Sequence, residues 1–377
     1  MKKFAILSFV TFLVSCGAGE QPAHEQNEHG TSHEHTHNHE HSDSHEHNHE
    51  HGHNHNHGGH GHNHDHSNFE WHTHGTEGTI NIYSARHFVA DEHIFRRFTE
   101  ETGIGVNVVH AHGGQVIARL AAEGSGTEAD LIIADDGAML SNARSQGLLQ
   151  IPTAEALQAA GFGTLDLNSN LNLHDPQGYW YALSYRARII ATNDYNIEIN
   201  SYLDLADERF AGEILLRPGN HMYNISLLAS IIELYGFDEA LAWAESIVNN
   251  IARNPQGNDR DQINAIEAGL GSVALVNTYY LALMQEEGHG EDVYLIFPEN
   301  THINISGMAI PRYSNNVSGA IAFMQFALSE YAQNILTNYN NEFSINYVPS
   351  FNTAPIDFEA LYRNHIYAIN IMNIVGW

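Results

Sequence analysis

Basic residues are scarce in this 377-residue chain: 15 lysines and arginines stand against 45 aspartates and glutamates, a formal net charge of -30 with histidine neutral. That shortage excludes a nucleic-acid-binding surface as the default role, because neutralising phosphates takes Lys and Arg. It suits a protein that attracts cations, although net charge says little about fold. Cysteine is scarcer still. Cys16 stands alone, so no disulfide can form within the chain. Long apolar runs are also missing. The N-terminal run at residues 4–14 is too short to span a bilayer, and no later run reaches even transmembrane length. What remains is long enough for two domains, each with its own core.

The lone cysteine has a telling position. Met1-Lys2-Lys3 is a positive start, residues 4–14 are an apolar stretch, and Leu13-Val14-Ser15-Cys16 resembles the lipobox of bacterial lipoproteins. Residues 1–15 are expected to be a removed signal peptide and Cys16 the acylated first residue of an exported, membrane-anchored protein of the bacterial cell envelope. A cytosolic protein with an apolar start and one buried thiol is the competing reading. Residues 16–78 then change composition completely. Eighteen histidines lie between His24 and His66, many alternating with Asn, Glu or Gly. Such a tract cannot bury enough apolar surface to offset chain entropy, so it is expected to be a disordered tether. Alternating imidazoles also offer pairs and triplets of nitrogens to divalent metals such as zinc or nickel.

From residue 79 onward, helical and extended patterns alternate. Residues 79–84 read as a short strand, residues 91–101 as a helix stopped by Gly103, and residues 104–108 as a second strand. A helix over 116–123 and a buried strand over 129–135, ending in Asp135 and Asp136, follow. This order predicts a mostly parallel sheet covered on both faces. Residues 178–193 and 304–311 are extended in character. Helices are predicted at 226–235, 238–250, 260–268, 318–329 and 330–338. A strand over 272–278 leads through Tyr279 and Tyr280 into a helix from Leu281. Two phenols at a strand-to-helix turn sit where α/β proteins bind ligands. Taken alone, the pair reads equally well as core filler on one side and surface on the other.

Several motifs, taken together, resemble the ferric-ion-binding proteins of bacterial ABC iron importers, in the branch that uses several tyrosines and a histidine. They are Tyr83-Ser84-Ala85-Arg86-His87, Ser184-Tyr185-Arg186-Ala187-Arg188, Pro255 to Gln262, Val276-Asn277-Thr278-Tyr279-Tyr280 and Asn304-Ile305-Ser306-Gly307, with Ile371 to Trp377 at the end. The resemblance spans about residues 79–377. It implies an α/β, two-lobed periplasmic-binding-protein fold of type II, with a hinge of two extended segments and a metal site in the interlobe cleft. The first lobe would comprise 79–185 plus about 305–345, and the second 186–304 plus about 346–377. The implied metal ligands are His87, Tyr223 in His221-Met222-Tyr223-Asn224, Tyr279 and Tyr280. It also implies a monomer that delivers iron to an ABC permease, without enzymatic activity.

One position departs from the pattern. The branch has a tyrosine directly after the histidine, and here that residue is Phe88. Asp135 is the first candidate to supply the extra ligand. Asp136, His112 and His221 are further options, and a water or small synergistic anion could fill the place instead. Arg186 and Arg188 are expected as hinge ion-pair residues or as neighbours of the site, with Asn277 steadying an anion. Asn258, Asp259 and Arg260 read as a turn and helix cap. Without the resemblance, His87 would be an ordinary loop histidine and Tyr223 a residue packing at a helix start.

The chemistry fits the residue types. Fe(III) is small, hard and highly charged and prefers anionic oxygen. A free phenol has a pKa of about 10, but a trivalent ion beside it favours the phenolate. Three phenolates would neutralise the ion, and the His87 imidazole would add a nitrogen without charge. Competing functions are a binding protein or buffer for a divalent ion such as Fe(II) or zinc, a metal store centred on the histidine tract, and a metalloenzyme. For the last, the sequence offers no base, nucleophile pair or cofactor motif.

Overall fold

The structure, a computed structural model, describes residues 78–159, 171, 173–355 and 357–377. The signal segment, Cys16 and the histidine tract lie outside the described residues.

The chain enters through β1 (Thr79–Ser84), whose Ile80 and Ile82 are fully buried. Helix α1 (Val89–Thr102) starts two residues earlier than expected and ends where Gly103 takes the left-handed conformation. Strand β2 (Gly105–His110), helix α2 (Gly113–Glu123) and strand β3 (Leu131–Ala134) follow. β1 lies between β2 and β3 and pairs with both in parallel. Helices α3 (Gly137–Ser145) and α4 (Ala154–Ala159) complete this part of the chain.

β4 (Trp180–Thr192) is a 13-residue strand. Beyond it come β5 (Ile214–Leu215), α5 (Met222–Tyr235), α6 (Phe237–Asn249), α7 (Asp259–Glu267), β6 (Val273–Asn277), α8 (Thr278–Glu286) and β7 (Tyr294–Ile296). The chain returns through β8 (His302–Ala309), then α9 (Val317–Ala327), α10 (Glu330–Asn340) and α11 (Phe358–Val375). Sequence periodicity did not reveal α3 or α11.

The strand order β2-β1-β3-β8-β4-β6-β5 explains the architecture. β4 and β8 run antiparallel along their length, from Trp180 opposite Ala309 to Arg188 opposite His302. One end of β8 continues the sheet of β1–β3 through Ile132 and Ala309. The other end of β4 carries β6 and β7 through Arg188–Thr192. Two extended strands therefore join two α/β lobes, at the segments where extended character was read. The sheet is mixed rather than mostly parallel. The reason is that a pair of strands crossing between lobes must run out and back, so every pairing of β4 and β8 is antiparallel.

Each lobe has an apolar core. In the first, Phe98 meets Phe323 and Phe326 edge-on at 5.2 and 5.7 Å between α1 and α9, the arrangement aromatic quadrupoles favour. In the second, the five residues of β6 are all buried. Helix α11 packs on α5 and α6 and also on α3, so it touches elements of both lobes.

Candidate metal centre

The second lobe supplies three phenols, and local sequence fixes each one. β6 ends at Asn277, whose amide donates to Asp259 Oδ2 at 2.8 Å. Helix α8 begins one residue later, so Tyr279 and Tyr280 sit in its first turn rather than in a turn before it. Thr278 Oγ1 accepts from the amide of Ala187 on β4 at 3.3 Å, which pins this helix start to the crossing strand. The two phenol rings stack at 4.3 Å. Tyr223 lies in the first turn of α5, again earlier than the sequence suggested. His221 caps that helix, its Nδ1 accepting from the Tyr223 amide at 3.2 Å. All three phenols thus occupy the positive ends of helices, where negative charge is stabilised. Tyr279 and Tyr223 are only 2% and 7% exposed.

Beneath the phenols lies a layer of arginines. The guanidinium carbons of Arg186, Arg217 and Arg188 stand 5.1, 5.4 and 6.0 Å from the centre of the Tyr223 ring. Buried Asp259 bridges Arg188 and Arg217 at 2.5 and 3.0 Å. Arg188 also donates to Asn224 at 2.8 Å and, weakly, to Asn277 Oδ1 at 3.4 Å. Arg186 pairs with Glu342 at 3.3 Å, bonds Ser306, and donates to the backbone carbonyl of Asp135. Glu342 and Ser306 are shared with Arg86, which is also held by Asp91 at 2.8 Å. A continuous buried ion network therefore runs from the loop after β1, through both crossing strands, to the tyrosines. Arg186 and Arg188, both on β4, hold buried ion pairs with Glu342 and Asp259. Asn258 caps α7 where the sequence suggested a cap, and Asp259, the first residue of that helix, is in addition the buried anion between two arginines.

Burial raises the pKa of Tyr279 well above that of a free phenol, and the neighbouring phenols Tyr223 and Tyr280 add to it. Tyr280 moves the same way, through burial first and then the charge of Asp259. Without a cation both remain protonated.

The first lobe contributes a different wall. Phe88 is the residue before α1, and its ring meets Tyr279 edge-on at 6.0 Å across the cleft, with Arg86 over its face at 4.8 Å. His87 is exposed at the loop, its ring tilted against that of His110 at 4.3 Å, with His112 at 6.5 Å. Partial burial and these two imidazoles lower its pKa. Asp135 follows β3, beside Arg186. Its buried Oδ1 has no partner among the described residues and lies so close to Gly113 that a Cβ there would stand 2.8 Å from it. Burial raises its pKa, opposed by Arg186.

The other options hold structural posts. Asp136 caps α3 through the Ala138 amide at 2.7 Å and accepts from Asn304. Burial and the surrounding arginines hold His221 at about 3, and its Nδ1 is engaged. His112 faces His87 rather than the phenols. Asn277 Nδ2 and the Nε atoms of Arg186, Arg188 and Arg217 are buried without partners among the described residues. Among the described residues no group of three or more His, Cys, Asp or Glu is placed to hold a metal ion by itself, so a metal here would need the phenols.

Two lobes on a pair of crossing strands, with polar side chains converging from both lobes and the hinge, define a two-lobed binding protein of the type II periplasmic class. The chain belongs to the bacterial extracellular solute-binding protein family, whose profile matches residues 127–363. Iron uptake protein A1 of Synechocystis sp. is 33% identical over 328 residues, covering 81% of this chain and 89% of its own. The ferric binding protein from Campylobacter jejuni is similar in structure, with a TM-score of 0.71, 38% identity, and 79% and 99% of the two chains covered. A Trichodesmium protein solved with iron and citrate gives 0.70 and 33% identity, covering 80% of this chain and all of that one.

Proposed function

We propose that this protein captures Fe(III) outside the cytoplasm, through the phenolates of Tyr223, Tyr279 and Tyr280 and the imidazole of His87, and delivers it to an ABC permease. The observation that carries this reading is the meeting of three phenols at two helix N-termini, above a buried and nearly charge-balanced base. There the guanidiniums of Arg86, Arg186, Arg188 and Arg217 face Asp91, Glu342, Asp259 and Asp135. Three phenolates then offset the three charges of the ion, which limits the cost of enclosing it. Relatives named for iron uptake and ferric binding support the same cargo.

Asp135 is the candidate for the donor that Phe88 cannot supply, because its buried Oδ1 is unpartnered. A small anion held near Asn277 is the alternative. We take the lobes as 79–185 with about 305–345, and 186–304 with about 346–377, turning on β4 and β8. Cys16 is the proposed site of lipid attachment and residues 16–78 the tether. The transport names of the relatives favour a carrier over an enzyme, and we take that carrier to act as a monomer.

Adding Fe(III) as its citrate complex should produce a visible phenolate-to-metal band and release about three protons, one from each phenol. Calorimetry in buffers of different ionisation enthalpy counts those protons. A colourless complex defeats the tyrosine site.

A further inference from the structure

We propose that His302 is a positioning residue for metal capture: through Asn304 and Ser226 it holds the ligand-bearing helix starts of the two lobes in one arrangement. This role rests on the ferric reading of the phenols. The observation behind it is a buried chain of hydrogen bonds laid across β8. Asp136 Oδ2 accepts from Asn304 Nδ2 at 3.2 Å, and the same Nδ2 stands 3.3 Å from His302 Nε2. That Nε2 in turn faces Ser226 Oγ at 3.1 Å. At one end, Asp136 caps α3 and follows Asp135, whose backbone carbonyl accepts from Arg186. At the other, Ser226 lies one turn along α5 from Tyr223, on the same face. His302 and Asn304 are two apart on β8, so they share a face, and they stand opposite Arg188 and Arg186 on β4. The chain therefore joins the start of α3 to the start of α5 across the hinge, beside the arginines that underlie the phenols.

Donor counting fixes the state of each member. None of the four is more than 2% exposed, so bulk water offers no substitute partner. The Asn304 amide has two hydrogens, one for Asp136 and one for His302. Turning it over would set its oxygen, which has no partner among the described residues, against the Asp136 carboxylate. His302 Nε2 is therefore the bare acceptor, its lone pair shared with the Ser226 hydroxyl, and the ring is neutral. Burial lowers the His302 pKa to about 4, opposed by Asp136 and helped by Arg188 and by His365 of α11, so the neutral ring persists at pH 7. An acceptor at this point is what the chain needs. Without one, an amide and a hydroxyl lose their partner in a dry site, and the lobes lose a fixed contact beside Tyr223.

The test compares two substitutions at one position in the full-length protein loaded with ferric citrate. Gln supplies an acceptor that does not titrate, whereas Phe keeps a ring without an acceptor. Ferric affinity, from chelator competition at pH 7, should fall about tenfold in His302→Phe, the low end of what losing an outer hydrogen-bond partner costs a metal site. The phenolate-to-metal band should shift in the same variant, because Tyr223 is displaced, and His302→Gln should restore both. Ser226→Ala removes only a hydroxyl, so it serves where Phe prevents folding, and it should shift the band in the same direction. Unchanged affinity and band in His302→Phe and Ser226→Ala overturn the proposal. So does an equal loss in His302→Phe and His302→Gln, which would assign the role to ring packing rather than to the acceptor. A wild-type protein that shows no band defeats the ferric reading and this role with it, whereas a wild-type band with unchanged variants defeats the role alone.

Discussion

The two walls of the cleft are built on opposite plans. The second-lobe wall is buried phenol on a buried ionic base: Tyr279 and Tyr223 are nearly inaccessible, and Asp259 holds Arg188 and Arg217 beneath them. The first-lobe wall is exposed imidazole on a loop, with a phenyl ring reaching across to Tyr279. A wall locked by packing and ion pairs presents donors in a set geometry, which selects a hard ion. A wall of exposed, unpartnered side chains adapts, which suits capture and exchange. The difference suggests that affinity resides in the second lobe and exchange in the first.

The most direct way to break this comparison is to remove donors from each wall in turn. Tyr279→Phe/Tyr280→Phe takes away two of the proposed anionic ligands. If each contributes at the upper end of the 10- to 100-fold typical of even an indirect partner, ferric affinity falls about 10⁴-fold and the visible band bleaches. His87→Ala should cost only about 10- to 100-fold by the same scale and leave the band. Competition titration against a ferric chelator measures both. Equal losses would abolish the distinction between the walls.

The ionic base is tested through stability. Asp259→Ala leaves two buried guanidiniums without their anion, and breaking a buried pair in this way costs about 3–5 kcal/mol. Thermal unfolding should drop by about 10 °C. A drop of only a degree or two would show that the arginines find other partners and that the wall is not locked.

Between the walls, β8 carries a histidine of the opposite kind to those on the rim. His302 is buried, its Nε2 facing Ser226 Oγ at 3.1 Å, and burial lowers its pKa from 6.5 to about 4. The unfolded chain therefore takes up the proton first as pH falls below 6.5. Stability present at neutral pH is lost between pH 6.5 and 4, by up to about 3 kcal/mol. His302→Gln should flatten the melting temperature over that window.

Much of this was legible in the sequence, for reasons that differ by residue. The crossing strands showed as extended runs although both are buried almost throughout, and Arg186 and Arg188 lie on one side of β4 because side chains two apart in a strand share a face. The phenols were visible by motif, but their placement in the first turns of α5 and α8 was not, since helix starts depend on caps such as His221 and on Asn277 held by Asp259. Asp259 was read correctly as part of a helix start, but not as a buried ion-pair partner. A charged residue near a helix start looks the same in sequence whether it is solvated or buried between Arg188 and Arg217, which lie 71 and 42 positions away. Glu342 was overlooked likewise, being 256 residues from Arg86. The meeting of His87 with His110 depends on strand order, which periodicity does not reveal.

The smallest effect is expected where the walls touch. Phe88→Tyr places a phenol on the first-lobe wall at the position where the resemblance anticipated one. The ring already lies edge-on to Tyr279 at 6.0 Å, with the Arg86 guanidinium over its face to favour added negative charge. If the hydroxyl reaches the ion, the visible band should intensify and ferric affinity should rise about tenfold, worth about 1.4 kcal/mol. Proton release on loading should then increase by about one. If Asp135 or an anion already occupies that position, the band gains nothing and affinity falls, because the new phenol must displace a donor. The sign of the change therefore reports whether the first lobe leaves a place open at the metal.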